Sequence, residues 1–190
     1  GIWWARTQHV SAQHRSMLAF YSLSEEIFPA PSPAEIADKL AAVLPSITQA
    51  TSVRLYLLNR RTKSLESIPT TADPEPMAAS IDGEQAGLAA GAVKCYRKHA
   101  VVNIPDVRRN ALVNSGWKAG LPRSAMFVPL LAESGTLGVL EASSTQRLGY
   151  FTADEQATLQ HLAKQIAASM KLQEQKTVRE QLFRSEKLAA

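Results

Sequence analysis

The feature that most constrains the fold is the end of the chain, which contains neither glycine nor proline from Thr152 to Ala190. At its start, Thr152 and Glu155 form a T-x-x-E capping box, in which two side chains cap the first free backbone N–H groups of a helix. The pattern predicts one helix on the order of 55–60 Å long, at a rise of about 1.5 Å per residue. We expect so long a helix to extend beyond the domain that it closes.

The apolar residues divide this helix into two parts. The first part carries a stripe at three- and four-residue spacing, formed by Leu159, Leu162, Ile166 and Met170. From residue 171 to 181 only Leu172 and Val178 are apolar, and the stripe resumes out of phase at Leu182 and Phe183. A helix with so few apolar residues on one side is only marginally stable by itself, so we predict that the second part packs against a partner helix.

The N-terminal part of the chain predicts two more helices. Residues 8–28 lack glycine and proline and carry a heptad-like seam, formed by Val10, His14, Met17, Tyr21, Ser24 and Phe28. The segment PAPSP (residues 29–33) ends this helix. Ser32, Pro33 and Glu35 then supply an N-cap, a first-turn proline and an early acidic residue, so a second helix begins there.

The middle of the chain alternates short apolar runs with turns. SVRLYLLN and SLESIP predict one hairpin, and AMFVPLLA and TLGVLEAS around ESG predict another. MAASI and AVVNI predict two shorter strands, with a helix over residues 84–98 between them despite Gly87 and Gly91. Pro129 predicts an edge or a bulge in its strand. Since no βαβ alternation occurs, the pattern favours an α+β fold with a largely antiparallel sheet and helices on one side.

Composition excludes several classes of protein. The 190 residues carry a net charge of +4, from 21 Lys and Arg against 17 Asp and Glu, and the basic residues are spread out rather than gathered into a nucleic-acid face. The single cysteine, Cys95, excludes an internal disulfide and a cysteine-rich zinc site. Because residue 1 is Gly1, we expect a fragment of a longer protein. The opening GIWWAR fits either the end of a membrane helix upstream or tryptophans packed on a partner.

Linear motifs for catalysis are absent from the sequence. It contains no P-loop, no dinucleotide-binding glycine pattern and no nucleophile elbow, and its histidines lack metal-ligand spacing. Cys95 and His99 share a predicted helix face, but a Cys–His nucleophile needs a third, orienting group. We therefore interpret Cys95 as a small buried thiol and predict that the fragment itself is not an enzyme. Trp117 is interpreted as either the lid of a pocket or a plug of the core.

An ordered set of motifs resembles the GAF domain family. The set consists of NIPDV (residues 103–107), SAMFVPLLAESGTLGVLEASS (124–144) and FTADEQATLQHLAKQIAASM (151–170), and the resemblance covers residues 34–170. It implies an α+β fold with a central antiparallel sheet of five to six strands flanked by helices on both sides. Long N- and C-terminal dimerisation helices would complete the molecule.

The resemblance also implies a pocket for a small molecule between the sheet and the loops. By similarity it lies under residues 77–85 and 107–117, with Met77, Ile81, Val107 and Trp117 as lining residues. Its floor would come from the central strands, from Met126, Val128, Val139 and Glu141. Alternation places Met126 with Val128 and Val139 with Glu141, but leaves open which face of the sheet holds the pocket.

Several ligand-specific signatures of the family are not matched. Cyclic-nucleotide binders carry N-K and F-x-x-x-D-E, whereas this chain has Phe151 only three residues before Asp154. The branch that reduces methionine sulfoxide uses several cysteines. Bilin binders often have histidine after the cysteine, where this chain has Tyr96. No cofactor is assigned.

The last residues, RSEKLAA, resemble the entry to the dimerisation and phosphotransfer helix of bacterial sensor histidine kinases. We therefore expect a connecting coiled-coil helix (1–31), a GAF-like sensory domain (32–170) and a signalling helix (171–190) leading to a kinase domain. The function implied is the input domain of a two-component system, which binds a small molecule and relays a change in helix packing. A ligand-free structural dimerisation module is the alternative.

The expected partners follow from that interpretation. A homodimer would form through the terminal helices, with candidate interface residues Val10, Met17, Tyr21, Phe28, Met170, Val178 and Leu182. A kinase domain would follow in the same chain, and no nucleic acid is expected. We expect a cytoplasmic location, either free or as the cytoplasmic part of a membrane-attached sensor.

Overall fold

The computed structural model of the protein describes residues 18, 20–27, 29 and 32–189. Along these residues the elements are α1 (20–27), α2 (Pro33–Ile47), β1 (Ser52–Asn59), β2 (Ser64–Ser67), β3 (Ala78–Ser80), α3 (Leu88–Lys98), β4 (Val102–Ile104), a 3₁₀ turn (Val107–Arg109), β5 (Ser124–Ala132), β6 (Gly135–Ser144) and α4 (Ala153–Ala189). The six strands form one antiparallel sheet in the order β3-β2-β1-β6-β5-β4. The predicted α+β fold is confirmed.

The two helix starts that capping residues predict are confirmed. The Ser32 hydroxyl accepts a hydrogen bond from the Glu35 backbone N–H (3.3 Å) ahead of α2. At α4 the capping box is reciprocal: Thr152 Oγ1 accepts from the Glu155 N–H (3.2 Å), and Glu155 Oε1 accepts from the Thr152 N–H (3.0 Å). α4 then continues for 37 residues. Within the described residues, no helix is both long and apolar enough to cross a lipid bilayer.

The β5–β6 hairpin turns through residues 133 and 134 and is confirmed as predicted. Pro129 lies in an internal strand, but β4 is short and its last pair on β5 is Val102 with Phe127. Beyond that pair, the side of β5 that faces away from β6 has no neighbouring strand among the described residues. A proline, which has no backbone N–H, is tolerated there because no inter-strand hydrogen bond is lost. A register shift follows between Leu130 and Leu131. The edge or bulge that Pro129 predicts is therefore present.

Helices cover both faces of the sheet. α1, α2 and α4 pack on one face, where they bury an apolar cluster that includes Leu23, Ile27, Leu40, Leu44, Met126, Val128, Leu140, Leu162 and Ile166. α3 packs on the other face against Phe127 and Val139. The pattern-based prediction of helices on one side is wrong, because α3 joins the two outermost strands, β3 and β4, and must cross a face to do so. The two-sided arrangement implied by the resemblance is confirmed.

α3 begins four residues later than predicted. Its N-cap is Gly87, which has φ +63° and ψ −150°, a conformation that strongly favours glycine. Gly91 then brings the helix into close contact with the sheet, since a Cβ there would lie 2.5 Å from Phe127 Cε2. The glycines that weaken the helix pattern are therefore explained by one helix boundary and one tight packing contact.

α1 packs on the same core, and the role of its predicted seam in a dimer stays a prediction. Leu23 and Ile27 are buried, Ser24 Oγ donates to Gln165 Oε1 on α4 (2.7 Å), and Tyr21 is exposed. The buried face is thus shifted from the seam that contains Tyr21. Three predicted interface residues, Val10, Met17 and Phe28, lie outside the described residues.

Candidate ligand-binding site

A cavity of about 220 Å³ lies on the α3 side of the sheet. Its floor comes from β1 and β6, and its walls come from the start of α3, the 3₁₀ turn and the loop before β5. The lining residues are Ser52, Arg54, Glu141 and Ser143 of the floor, and Gly87, Leu88, Val107, Val113, Ser115, Trp117, Leu121 and Pro122 of the walls. The cavity therefore combines a polar floor with a largely apolar wall.

Strand pairing places the polar residues of the floor together. β1 and β6 are antiparallel, with Arg54 opposite Glu141 and Ser52 opposite Ser143. Residues directly opposite each other on paired strands project to the same face. Because successive residues of a strand alternate between faces, the neighbours Leu55, Leu140 and Ala142 point into the apolar cluster behind the sheet.

Glu141 is the centre of a buried polar network. Its side chain is 3% exposed, Oε1 accepts a hydrogen bond from the Tyr56 hydroxyl (3.3 Å), and Oε2 lies 3.8 Å from Arg54 Nη1. Arg54 donates from Nη1 to the Tyr56 hydroxyl (3.3 Å) and from Nη2 to Asp73 Oδ2 (2.8 Å). Asp73 therefore holds the short contact to Arg54, and Glu141 holds the longer one.

Burial controls the proton affinities of this network. It raises the pKa of Glu141 above its ordinary value of 4.5, and the Arg54 guanidinium only partly opposes that rise. Burial likewise raises the pKa of the Tyr56 hydroxyl, with a further rise from the Glu141 charge. For Arg54, burial lowers the pKa, but Glu141 and the other partners outweigh it and the net direction is upward. Arg54 thus stays protonated, while Glu141 is the group whose charge is most sensitive to its surroundings.

Trp117 forms part of the cavity wall and is held there from two sides. Its Nε1 donates to the Pro122 carbonyl (2.8 Å), and the Arg108 guanidinium lies 5.6 Å from the ring centroid. Arg108 is itself fixed by two hydrogen bonds to the Asp106 carboxylate (3.1 Å each), which lower the pKa of Asp106. The ring is partly buried, lines the cavity and also packs against the apolar cluster under α3, so both interpretations stay open.

The structure brings three of the predicted pocket residues to this cavity: Val107, Trp117 and Glu141. Val139 lies on the same face but is enclosed in the apolar packing under α3. Met77 and Ile81 flank β3 at the sheet edge, where Met77 is exposed and Ile81 packs on the same cluster as Val139.

Met126 and Val128 require a correction. Both lie in the apolar cluster with α1, α2 and α4, on the opposite side of the sheet from the cavity, so they do not form its floor. The alternation was read correctly, but Glu141 pairs with Phe127, and it is Phe127 that shares its face. Sequence alone did not establish which residues of β5 pair with which residues of β6.

Arg54 is the functional candidate that the sequence analysis missed. A signal was present, because SVRLYLLN places Ser52, Arg54 and Tyr56 on one face of a strand whose other residues are apolar as far as Leu58. An arginine in the middle of a half-buried strand requires a partner. That partner, Glu141, is 87 positions away, and only the β1–β6 pairing connects them.

Cys95 and His99 do not form a nucleophile pair. Cys95 is fully buried in α3 packing, and this burial raises its pKa to about 12, so the thiol stays protonated. His99 ends α3 in a left-handed conformation (φ 53°) with its Nδ1 2.6 Å from Thr136 Oγ1. The described residues also contain no cluster of His, Cys, Asp or Glu suited to a metal ion.

Comparison with known proteins agrees with this architecture. A family model described as "GAF domain" matches residues 32–170. The free methionine-R-sulfoxide reductase of Neisseria meningitidis, solved in complex with its substrate, is 21% identical, with a TM-score of 0.69 over 85% of this chain and 93% of that chain. The GAF domain of an Acinetobacter phosphoenolpyruvate-protein phosphotransferase is 14% identical, with a TM-score of 0.66 over 83% and 93%. Residues 122 to 287 of a methyl-accepting chemotaxis protein are 18% identical, with a TM-score of 0.62 over 80% and 96%.

The reductases contradict the prediction that the fragment is not an enzyme. Methionine sulfoxide reductases are enzymes, and their structures are among those most similar to this chain. That prediction was drawn from missing linear motifs. Because function depends on the residues that a fold brings together at a site, the lack of a linear motif did not justify it.

At these identities the solved structures establish the fold and no more. A search of curated proteins finds no significant match. The family model, by contrast, spans most of the chain and coincides with the sheet, α2, α3 and the packed part of α4. The chain therefore belongs to the GAF domain family.

Proposed function

We propose that this GAF domain is the sensory input module of a sensor histidine kinase, which binds a small molecule above Arg54 and Glu141 and passes the effect to α4. The observation that carries the proposal is the position of β6. Glu141 lines the cavity, while the adjacent Leu140 and Ala142 belong to the cluster that packs against α4. One strand thus contacts the ligand site on one face and the output helix on the other.

A polar link joins the same strands to the start of α4. Glu155 Oε2 accepts from the Gln49 backbone N–H (2.7 Å), just before β1, and Glu155 Oε1 lies 3.6 Å from Arg147 Nη1, just after β6. A ligand that moves the floor strands therefore pulls on the first turn of α4. In the proposal the domain has two packing arrangements of α4. A ligand shifts the equilibrium between them only by the difference in its affinity for the two.

The second part of α4 supplies the output. Its side chains are exposed or half-buried from residue 171 onward, including the apolar Leu172, Val178, Leu182, Phe183 and Leu188. A groove of about 690 Å³ runs beside them, along the β5–β6 turn. In the proposal a second copy covers Val178 and Leu182, together with Tyr21 and the half-buried Met170, and the helix continues into a kinase. A reduced Cys95 suits the cytoplasmic side of a membrane-attached sensor.

Thermal shift on the full chain with a library of common metabolites tests ligand binding. A ligand at 100 times its dissociation constant stabilises the folded state by about 2.7 kcal/mol. Ser52→Trp, at an exposed position on the cavity rim, fills the cavity and is expected to abolish the shift. Arg61→Trp, at an exposed position in the β1–β2 turn, is the control and retains it. Shifts that persist in Ser52→Trp would place binding elsewhere.

Sedimentation tests the dimer. At tens of micromolar the chain is expected to be a dimer, a regime in which even a modest interface is populated (roughly −6 to −8 kcal/mol). Leu182→Glu introduces charge into the exposed seam and is expected to give a monomer. Leu112→Glu, at another exposed leucine on the α3 side, leaves the dimer intact. A wild-type monomer contradicts the dimeric proposal, whereas a dimer that no compound of the library stabilises supports the ligand-free module.

Catalysis is a second candidate function, favoured by the similarity to methionine sulfoxide reductases. Incubation with free methionine-R-sulfoxide and dithiothreitol, followed by detection of methionine, tests it directly. Turnover that is lost in Cys95→Ala but retained in Leu112→Ala would assign the reaction to this chain. Absence of methionine above the no-protein control would reject this substrate.

A further inference from the structure

We infer that the ligand of this cavity carries a primary ammonium group, which the Glu141 carboxylate binds, on a short apolar body that packs against the cavity wall. The inference rests on the proposed function, because it names the ligand class of the same cavity. It is carried by three observations: the charge balance of the floor, the hydrogen-bond acceptor sites of Glu141 that are not used, and the size of the cavity.

The floor holds one cation between two carboxylates. Arg54 makes its short contact, 2.8 Å, with Asp73, and only a 3.8 Å ion pair with Glu141. Asp73 is half-exposed, so water screens its charge, whereas Glu141 is buried. The negative charge of Glu141 is therefore the less compensated one, and a second cation in the cavity would balance it.

Glu141 also has more hydrogen-bond acceptor sites than the surrounding donors use. A carboxylate has two oxygens and about four lone-pair sites. Among the described residues, Tyr56 alone donates a hydrogen bond to it, over a long 3.3 Å. Glu141 is one of the residues that line the cavity, so a donor on a ligand bound there would use these open sites. An ammonium group supplies three donors and a positive charge, which together make the strong, charge-assisted kind of hydrogen bond.

Other ligand charges fit this floor less well. An anion would approach the buried charge of Glu141, and the only floor cation, Arg54, is already shared by two carboxylates. A neutral alcohol could donate one hydrogen bond but would leave the charge uncompensated. The ammonium group is therefore favoured over both.

The size and lining of the cavity limit the size and polarity of the ligand apart from its ammonium group. Its volume of about 220 Å³ is below the roughly 300–1,000 Å³ of drug-sized sites, which excludes a nucleotide or a tetrapyrrole. Leu88, Val113 and Leu121 supply apolar surface, and the Trp117 side chain adds to the wall. A small aliphatic amine and a small apolar amino acid both satisfy these conditions.

A series of four-carbon probes tests the charge preference on the unaltered protein. Butylammonium, butanol and butyrate have similar size and differ in charge, and L-leucine carries the same ammonium group beside a carboxylate. We expect thermal stabilisation by butylammonium and none by butyrate. Stabilisation by L-leucine in addition would identify the source as an amino acid, and its absence would identify a simple amine. Butyrate or butanol stabilising as strongly as butylammonium would overturn the inference.

Glu141→Gln tests the residue. The substitution keeps the shape and removes the charge, and we expect butylammonium to bind about 10- to 100-fold more weakly, the range for a hydrogen bond to a charged group. Glu75→Gln, at an exposed carboxylate outside the cavity, is the matched control with unchanged affinity. Equal affinity in Glu141→Gln and wild type would overturn the assignment. If Glu141→Gln fails to fold, the probe series on the wild type still decides.

The two levels of the proposal fail in different ways. A neutral or anionic metabolite whose stabilising effect is lost in Ser52→Trp but kept in Glu141→Gln would overturn the ammonium inference and leave the sensory function intact. If neither the library nor the probe series contains a compound whose stabilising effect is lost in Ser52→Trp, both the ammonium inference and the sensory function are overturned.

Discussion

The two faces of the sheet are closed in different ways. Behind the sheet, three helices bury a continuous apolar cluster in which residues such as Leu140 and Ile166 are fully enclosed. In front, one short helix and a loop leave a cavity over a buried tyrosine, a buried glutamate and a half-buried arginine. The same strands supply both faces, because Leu140 and Glu141 are neighbours on β6. The comparison separates a face that is closed by apolar packing from a face that leaves polar side chains beside a cavity.

The largest effect is expected on the apolar face. Leu140→Ala removes a fully buried side chain between β6 and the helices, and we expect a loss of about 2–5 kcal/mol in the free energy of unfolding. Urea denaturation measures it. Leu112→Ala, at an exposed leucine on the other face, should stay within about 0.5 kcal/mol of wild type. Equal losses at the two positions would contradict the division between the faces.

A smaller loss is expected where α3 meets the cavity face. Gly91→Ala places a methyl group 2.5 Å from the Phe127 ring, which is too close unless the helix or the ring moves. We expect a cost of about 1–3 kcal/mol, the usual range for overpacking. Gly83→Ala is the control, since its Cβ would have no neighbour nearer than 3.6 Å. A neutral Gly91→Ala would mean that α3 packs more loosely than the structure shows.

The pH dependence of stability should separate the faces further. The folded-state pKa of Glu141 is raised above its ordinary 4.5 by burial, so between those two values the folded protein holds a proton that the unfolded chain has released. Stability from this group is therefore greatest at low pH and falls as the pH rises through the folded pKa. The fall is about 1.4 kcal/mol for each unit by which the pKa is raised.

Glu141→Gln should remove this fall, because the amide does not titrate. Urea midpoints measured from about pH 4 to pH 8 for both proteins check it. Wild type is expected to lose stability relative to Glu141→Gln as the pH rises. Parallel curves would mean that Glu141 titrates as an ordinary carboxylate, and that the cavity floor is wetter than its burial indicates.

The smallest effect is expected at the far end of α4. Leu182 is 61% exposed, so Leu182→Ala should change the stability of the isolated domain by less than about 0.5 kcal/mol. Ile166→Ala, on the packed part of the same helix, should cost about 2–5 kcal/mol. Dilution into the monomeric range isolates the domain from any dimer. A loss at Leu182 that persists on dilution would show that this residue packs within its own chain.

Local features of the sequence predicted the elements well. The capping residues Ser32 and Thr152 marked two helix starts, and the ESG turn marked the central hairpin, because capping and tight turns depend on residues a few positions apart. The start of α3 was predicted four residues too early. Gly87 is its N-cap in a conformation with positive φ, and helix propensities do not indicate such a cap. The pattern of α1 did not show that Leu23 and Ile27 pack on the domain core, because their partners belong to distant segments, and the role of the Tyr21 seam in a dimer stays a prediction.

The site was predictable only in part. Trp117 and Glu141 could be named from the family resemblance, but Met126 and Val128 were assigned to the wrong face, and Arg54 was not named at all. The failed exclusion of catalysis has the same origin. A linear search detects groups that are close in sequence, whereas this cavity is built from strands, a turn and a loop that meet only in the folded chain.

By itself, the sequence determined the antiparallel α+β architecture, the two capped helix starts and a final helix longer than its core. These depend on periodicity, capping and the absence of glycine and proline, which act over a few residues. Only the tertiary structure decided that α3 crosses the opposite face and that Arg54 meets Glu141 in a cavity. Those outcomes depend on strand order and on the pairing of β1 with β6, which are contacts between distant segments that no local pattern encodes.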